Sequence, residues 1–220
     1  MVFRNRRIEH ELLEDAAPEE ARRNLADLAR INSRFGGHAI LRALFERVAS
    51  EPQFTVLDVG AGSGDAARII SECYPRATIV SADINPVHVG LAPEPRLVAD
   101  AFGLPFPDSS FDFVLSSLFL HHFADVQVIE LLAKLYRLAR RALLIVDLER
   151  HLVPYLFLPL SSLVFRWHYI SVHDGKISVR AAFKKEELIA LASAASITEA
   201  DVQVHRPAFR LSLVAKKKCR

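Results

Sequence analysis

The chemically most telling residues begin at Val56. The run Val56-Leu57-Asp58-Val59 leads into Gly60-Ala61-Gly62-Ser63-Gly64 and then Asp65. Glycines in such a turn let backbone approach a ligand with no Cβ in the way. A helix starting there offers unpaired N–H groups to the same ligand. The glycines fall as G-x-G-x-G, with Asp65 where the nicotinamide fingerprint G-x-G-x-x-G has its third glycine, which argues against a hydride-transfer cofactor. No Gly-Lys-Ser/Thr follows, so a P-loop is excluded.

Two acids come next in the same logic. Asp83, in Ser81-Ala82-Asp83-Ile84-Asn85, lies about twenty residues beyond the loop, where a carboxylate can accept both hydroxyls of a ribose. A turn or helix-capping aspartate is the simpler alternative. Asp100, in Ala99-Asp100-Ala101, can accept from an exocyclic amine such as that of adenine. The following Leu104–Ser110 reads as a structural turn whose prolines fix φ. Further candidates follow later strands: His121 and His122, then Asp147, Glu149 and His151. Each could orient or deprotonate an acceptor. Packing at the start of a helix for the histidines, and a surface Glu149/Arg150 pair, are the competing readings. Asn32, Arg34 and His38 cluster near Gly36-Gly37, and Arg34 could pair with a ligand carboxylate. His173-Asp174-Gly175 reads first as a turn, and Arg180 as a site residue or plain surface. The nine histidines show no HExxH, Cys/His cluster or acid-rich loop, so no metal site is expected.

These residues need a frame that brings them to one edge. Short apolar runs at Phe54–Val59, Ala77–Ala82, Arg96–Ala99, Phe111–Ser116 and Ala142–Asp147 alternate with helical patterns at Asp65–Tyr74 and Ala124–Ala139. Strands apolar throughout and separated by helices indicate a parallel sheet covered on both faces. In such a sheet, ligands sit at the carboxyl ends of the strands, where every candidate above falls. After a helix at Lys184–Ala195, the strands Ile197–His205 and Ala208–Ala215 are split only by Arg206-Pro207. A connection that short makes an antiparallel hairpin. Ahead of the sheet, two amphipathic helices span about Pro18 to Ser50, broken at Gly36-Gly37.

Taken in order, LDVGAGSGD, Asp83, Asp100-Ala101, LPFPDSSFD and SSLFLHH resemble class I S-adenosylmethionine-dependent methyltransferases of the type 11 group, which includes the ubiquinone and menaquinone C-methyltransferases. The resemblance covers about Phe54 to Asp147, and the closing hairpin by arrangement only. It implies a doubly wound α/β fold: a seven-stranded mixed sheet of order 3-2-1-4-5-7-6 with one antiparallel strand. It implies S-adenosylmethionine as cofactor, bound by Asp58, Gly60, Ala61, Gly62, Asp83, Ile84, Asp100, Ala101 and Ser117, with Arg34 in reach. His121, His122 and Asp147 are the catalytic candidates. The segment between Asp83 and Arg96, punctuated by Pro86, Pro93 and Pro95, departs from the family's full helix and must be shortened or lost.

The expected organisation is an N-terminal helical lid segment at 1–50 and a cofactor-binding core at 51–220, with an apolar insert or lid at 150–180. Within that insert, Leu152–Ile170 is too short and too broken by Pro154, Pro159, Arg166 and His168 to cross a bilayer. It reads as a helix packed on the core, a cover over a lipophilic acceptor, or a peripheral membrane contact. A net charge of +2 leaves no global field for nucleic acid, and there is no basic stripe to bind one. The basic stretches Arg4–Arg7 and Lys216–Lys218 read as solvated ends. Cys73 and Cys219 form no motif, which suits free thiols in a reducing cytoplasm, and no signal-peptide core follows the N-terminal arginines. The reaction expected is methyl transfer to an oxygen or carbon of a small, lipophilic or aromatic molecule; the alternative is a binding or scaffold protein that keeps the fold without transfer.

Overall fold

The computed structural model describes residues 3–217; Lys218 and Cys219, named above, lie outside them. Two helices, α1 (Pro18–Arg34) and α2 (Gly37–Val48), precede the alternation β1 (Thr55–Val59), α3 (Asp65–Cys73), β2 (Thr78–Asp83), α4 (Pro86–Val89), β3 (Arg96–Val98), β4 (Phe111–Ser117), α5 (Asp125–Leu138) and β5 (Ala139–Leu148). Helices α6 (Leu152–Phe165), α7 (Tyr169–Ala181) and α8 (Lys185–Ala194) follow, then β6 (Ala200–His205) and β7 (Arg210–Lys216). The strands form one sheet in the order β3-β2-β1-β4-β5-β7-β6, parallel except for β7, which runs antiparallel to both β5 and β6.

The central strands are apolar on both faces because both are covered. Leu57, Val114, Leu143 and Ile145 pack with Leu131, Leu135 and Leu188 of α5 and α8. Their alternates Val56, Phe113, Leu115 and Leu144 pack with Leu41, Phe45, Ala67 and Ile70 of α2 and α3. That period-2 partition is what a parallel sheet between two helix layers demands. Helix α4 is a single turn, capped by the Asn85 side chain accepting from the Val87 and His88 amides, so the family's helix is shortened as the prolines imply. The β6–β7 connection spans residues 206–209 rather than the Arg206-Pro207 pair alone, because Pro207 has no N–H to extend the ladder.

Three expectations are corrected here. His173, Asp174 and Gly175 do not turn; they lie inside α7. Glycine suits that helical position because α6 crosses there: a Cβ on Gly175 would come 2.1 Å from Leu158 Cδ1. Glu149 and Arg150 do not pair with each other. Neighbours along an extended chain point apart, and they reach Arg206 and Glu187 instead. The N-terminal arginines are not simply a solvated end. Arg6, its side chain only 8% exposed, donates to the carbonyls of Ala181 and Phe123 and to the Asp125 carboxylate, and lies over the Phe183 ring. It straps residues ahead of α1 across the mouth of the sheet.

Among the described residues, no helix is long and apolar enough to cross a membrane. Helix α6 is nonetheless apolar all round. Its inner residue Leu158 packs with Ile31 and Trp167, while its outer face leaves Leu160, Leu163 and Val164 exposed at 65%, 86% and 77%.

Candidate functional site

The carboxyl ends of β1, β2, β4 and β5 open into one cavity of about 620 Å³, roofed by α1, α6 and α7. At one end lies the glycine loop. Gly60 and Ala61 donate their N–H groups to the Ala82 carbonyl at 2.9 and 3.1 Å, which ties the loop to β2. Gly60, at φ +70°, could carry no Cβ, since one would meet the Phe119 ring at 2.2 Å; Gly62, at φ +53°, faces more open space. Gly60 thus makes room for the Phe119 ring, and Gly62 brings bare backbone to this end of the cavity.

The acids stand where their strands end. Asp83 accepts the Gly62 amide on Oδ2 at 2.8 Å and the Asn85 amide on Oδ1 at 2.9 Å. A carboxylate has about four lone-pair sites, so two remain for a ribose diol. Asp100 accepts the Phe102 amide on Oδ1, leaving Oδ2 for an amine, and Ala101, Ile84 and Ser117 line the same cavity. Asp58 is fully buried beneath the loop, and its Oδ2 has no protein partner. Burial, then the charges of Asp83 and Asp65, push its carboxyl up to about 7. An orphaned acceptor and a Cβ-free cradle beside two strand-end carboxylates fit a nucleoside-bearing cofactor with a polar amino-acid tail.

Of the residues near Gly36-Gly37, Asn32 and His38 both reach Asp65 at the start of α3, at 3.1 and 2.9 Å. Arg34 is placed outside the cavity. It lies two residues, over half a helical turn, from the inward-facing Asn32, and its guanidinium sits over the Phe165 ring. The guanidinium that does line the cavity is Arg210, from the first position of β7. It is buried, burial lowers it to about 10, and one long hydrogen bond of 3.4 Å to Asn32 Oδ1 engages it. Nothing in the sequence singles it out, because an arginine opening a strand next to Pro207 reads as surface.

The catalytic candidates meet at the other end. Asp147, buried at the end of β5, takes the Nδ1–H of His121 at 2.6 Å and the backbone N–H of His121 at 3.2 Å. Burial disfavours the charged form of His121, but the Asp147 carboxylate and then Glu11 outweigh it and hold the imidazole above its usual value. His122 lies tilted beside it, ring centroids 4.3 Å apart, and burial followed by the His121 charge pushes it down to about 3. Asp147 itself does not line the cavity and touches it only through its hydrogen bond with His121.

The sequence offered no sign of the fourth member. Glu11 lies 110 residues before His121, in a charged stretch that shows no motif. The structure brings it into the cavity wall, where it accepts from Ser178 Oγ and lies 3.9 Å from both His121 Nε2 and His122 Nδ1. Asp174 fixes it there by accepting the amides of Leu12 and Leu13, each at 2.9 Å. Burial raises Glu11 to about 7. His151 instead caps α6, accepting from the Val153 amide, and Glu149 and Arg180 are spent on Arg206 and Glu9.

A sheet of this order, with a glycine loop and strand-end acids around one cavity, is the arrangement that class I methyltransferases also have. Residues 57–145 match the family model described as "Methyltransferase domain". Over 91 residues the chain is 38% identical to the demethylmenaquinone methyltransferase of Thermus thermophilus, covering 37% of this chain and 40% of that one. Over 79 residues it is 39% identical to the malonyl-[acyl-carrier protein] O-methyltransferase of Halorhodospira halophila, covering 32% and 27%. The chain thus spans well under half the length of these relatives. The fold also matches human N-acetylserotonin methyltransferase, solved with SAM, at 21% identity and a TM-score of 0.64 over 96% of this chain and 61% of that one. Plantazolicin methyltransferase BpumL, solved with SAH, matches at 14% identity and 0.66 over 90% and 91%. At these identities the likeness is one of fold.

Proposed function

We propose that this protein transfers a methyl group from S-adenosylmethionine to an oxygen or carbon of a small apolar or aromatic molecule. The observation that carries this is the cavity itself. One continuous space joins the glycine loop, an apolar wall and a cluster of buried Glu11 and His121 with half-buried His122.

When bound, S-adenosylmethionine supplies a methyl group already activated on a sulfonium. Asp83, Asp100, Ile84 and the loop Gly60–Gly62 would hold its nucleoside, and Arg210, rather than Arg34, would pair with its carboxylate. The residues then have two tasks. Leu25, Leu28, Phe157 and Leu158 from α1 and α6 exclude water and orient an apolar acceptor. Alignment alone can contribute about 7–11 kcal/mol to such a transfer. His121, held by Asp147, and Glu11 face the acceptor and draw off the proton of its nucleophile. Helices α1, α6 and α7 act as the lid.

A phenol or reduced quinone suits this combination of greasy wall and polar end. Two curated relatives bear the name demethylmenaquinone methyltransferase, which supports the same choice. The exposed face of α6, flanked by Arg30, Arg34 and Arg166, supports peripheral contact with an anionic membrane from which such an acceptor could enter. Exposed Cys73, a free thiol, fits a reducing cytoplasm.

The test is calorimetric titration with S-adenosylhomocysteine, followed by a screen of lipophilic phenols and quinols with radiolabelled donor. Micromolar binding with methyl incorporation is the expected result. Binding without turnover on any acceptor would favour a scaffold that keeps the fold, and no binding to folded protein would overturn the cofactor assignment.

A further inference from the structure

We infer that Glu11, His121 and His122 together form a binding site for a single divalent transition-metal ion of the zinc class at the acceptor end of the cavity. The inference deepens the reading above and rests on it only for the ion's use, not for its binding.

The geometry argues for a shared atom between these side chains. Glu11 Oε1 lies 3.9 Å from His121 Nε2 and 3.9 Å from His122 Nδ1, and the three candidate ligand atoms all fall within 4.8 Å of one another. That is too long for a direct hydrogen bond in either pair. The 3.9 Å of each Glu11–histidine pair is close to the roughly 3.4 Å that separates two ligands each about 2.1 Å from one tetrahedral ion, so side-chain adjustment on binding would close the site. Two imidazoles and one carboxylate are a ligand set that binds Zn²⁺ or Fe²⁺ and leaves a position open.

The surroundings fit a metal ligand as well. His121 donates its other ring nitrogen to Asp147 at 2.6 Å, the carboxylate–imidazole arrangement that orients a metal-binding histidine. Glu11 is steadied by Ser178 and by the Asp174 clamp on Leu12 and Leu13. The open side faces the cavity. Phe119, which lies against Gly60, has its ring centroid 6.4 Å from that of His122, so the site adjoins the loop that would carry the methyl donor.

At such an ion an acceptor hydroxyl would lose its proton to solvent more readily. Its oxygen would then take the methyl as the sulfonium becomes a neutral thioether. His121 and Glu11 would serve as ligands, and the ion would do the work of the base.

The test is titration of the full chain with Co²⁺, read by visible d–d absorption, with Zn²⁺ as competitor. One equivalent is expected to bind and to be displaced by Zn²⁺. Glu11→Gln and His122→Ala are each expected to weaken Co²⁺ binding by about 100-fold or more, and Asp147→Asn by about 10–100-fold. Unchanged S-adenosylhomocysteine affinity would show that each variant is folded. No binding to the wild type, or equal binding to the wild type and both ligand variants, would overturn the inference. Co²⁺ binding without S-adenosylhomocysteine binding would leave the ion site standing and sink the methyl-transfer reading; the converse would do the opposite.

Discussion

Asp147 and His121, 26 residues apart in sequence, hold each other at 2.6 Å in a buried pair that fixes which ring nitrogen of His121 faces the cavity. The carboxylate must accept, so Nδ1 carries the proton and Nε2 is left toward Glu11. Whether that nitrogen meets the acceptor directly or through an ion, its orientation depends on Asp147.

Asp147→Asn is therefore expected to lower kcat by about 10²–10⁴-fold, with KM for the cofactor and its product's binding affinity little changed. Steady-state kinetics beside calorimetry separates this from structural damage, which would reduce both together.

Asp83→Ala removes the acceptor proposed for the ribose and leaves the Gly62 amide without its partner. Charge-assisted hydrogen bonds contribute about 1.5–3 kcal/mol each, so S-adenosylhomocysteine should bind at least about 10-fold more weakly. Wild-type affinity in this variant would refute the assignment.

Arg210→Met keeps bulk in the wall and deletes the cavity's guanidinium. We expect S-adenosylhomocysteine to bind about 10-fold more weakly, whereas methylthioadenosine, which has no carboxylate, binds both forms alike. An equal loss for the two ligands would count against Arg210 as the carboxylate's partner.

Leu163→Glu puts a charge on the most exposed position of the outer face of α6. Co-sedimentation with anionic phospholipid vesicles should fall while cofactor affinity stays. Equal sedimentation of both forms would remove the membrane-contact proposal.

Stability should weaken in acid through Asp112. Burial pushes its carboxyl up, but hydrogen bonds from Arg140 and Thr55 outweigh this and hold it below its ordinary value. A depressed folded-state value contributes stability that is present above the unfolded carboxyl's range, about 4, and is lost as pH falls through the folded value. The urea midpoint should drop between pH 5 and 3 by the ordinary margin of about one or two pH-linked groups, and less in Asp112→Asn. A parallel decline in both proteins would show that other carboxylates carry the acid limb.

The core of this account was legible in the chain because its signals are local. Buried strands read as unbroken apolar runs, the glycine loop is contiguous, and Asp83 and Asp100 each follow their own strand, so the parallel sheet and the loop at its carboxyl edge follow from linear pattern, while the strand order was implied by the family resemblance. What tertiary structure alone decided is the acceptor end. Glu11 meets His121 and His122 only because Asp174 and Ser178 on α7 anchor a charged segment that shows no motif in isolation. Arg210 enters the cavity because β7 runs antiparallel beside β5, opposite Leu148, and Arg34 leaves it through the phase of α1. Gly175 in His173-Asp174-Gly175 serves no turn but the close packing of Leu158 on α7. These pairings, from the 17 residues between Leu158 and Gly175 to the 110 between Glu11 and His121, are made by packing and burial, which sequence spacing does not encode.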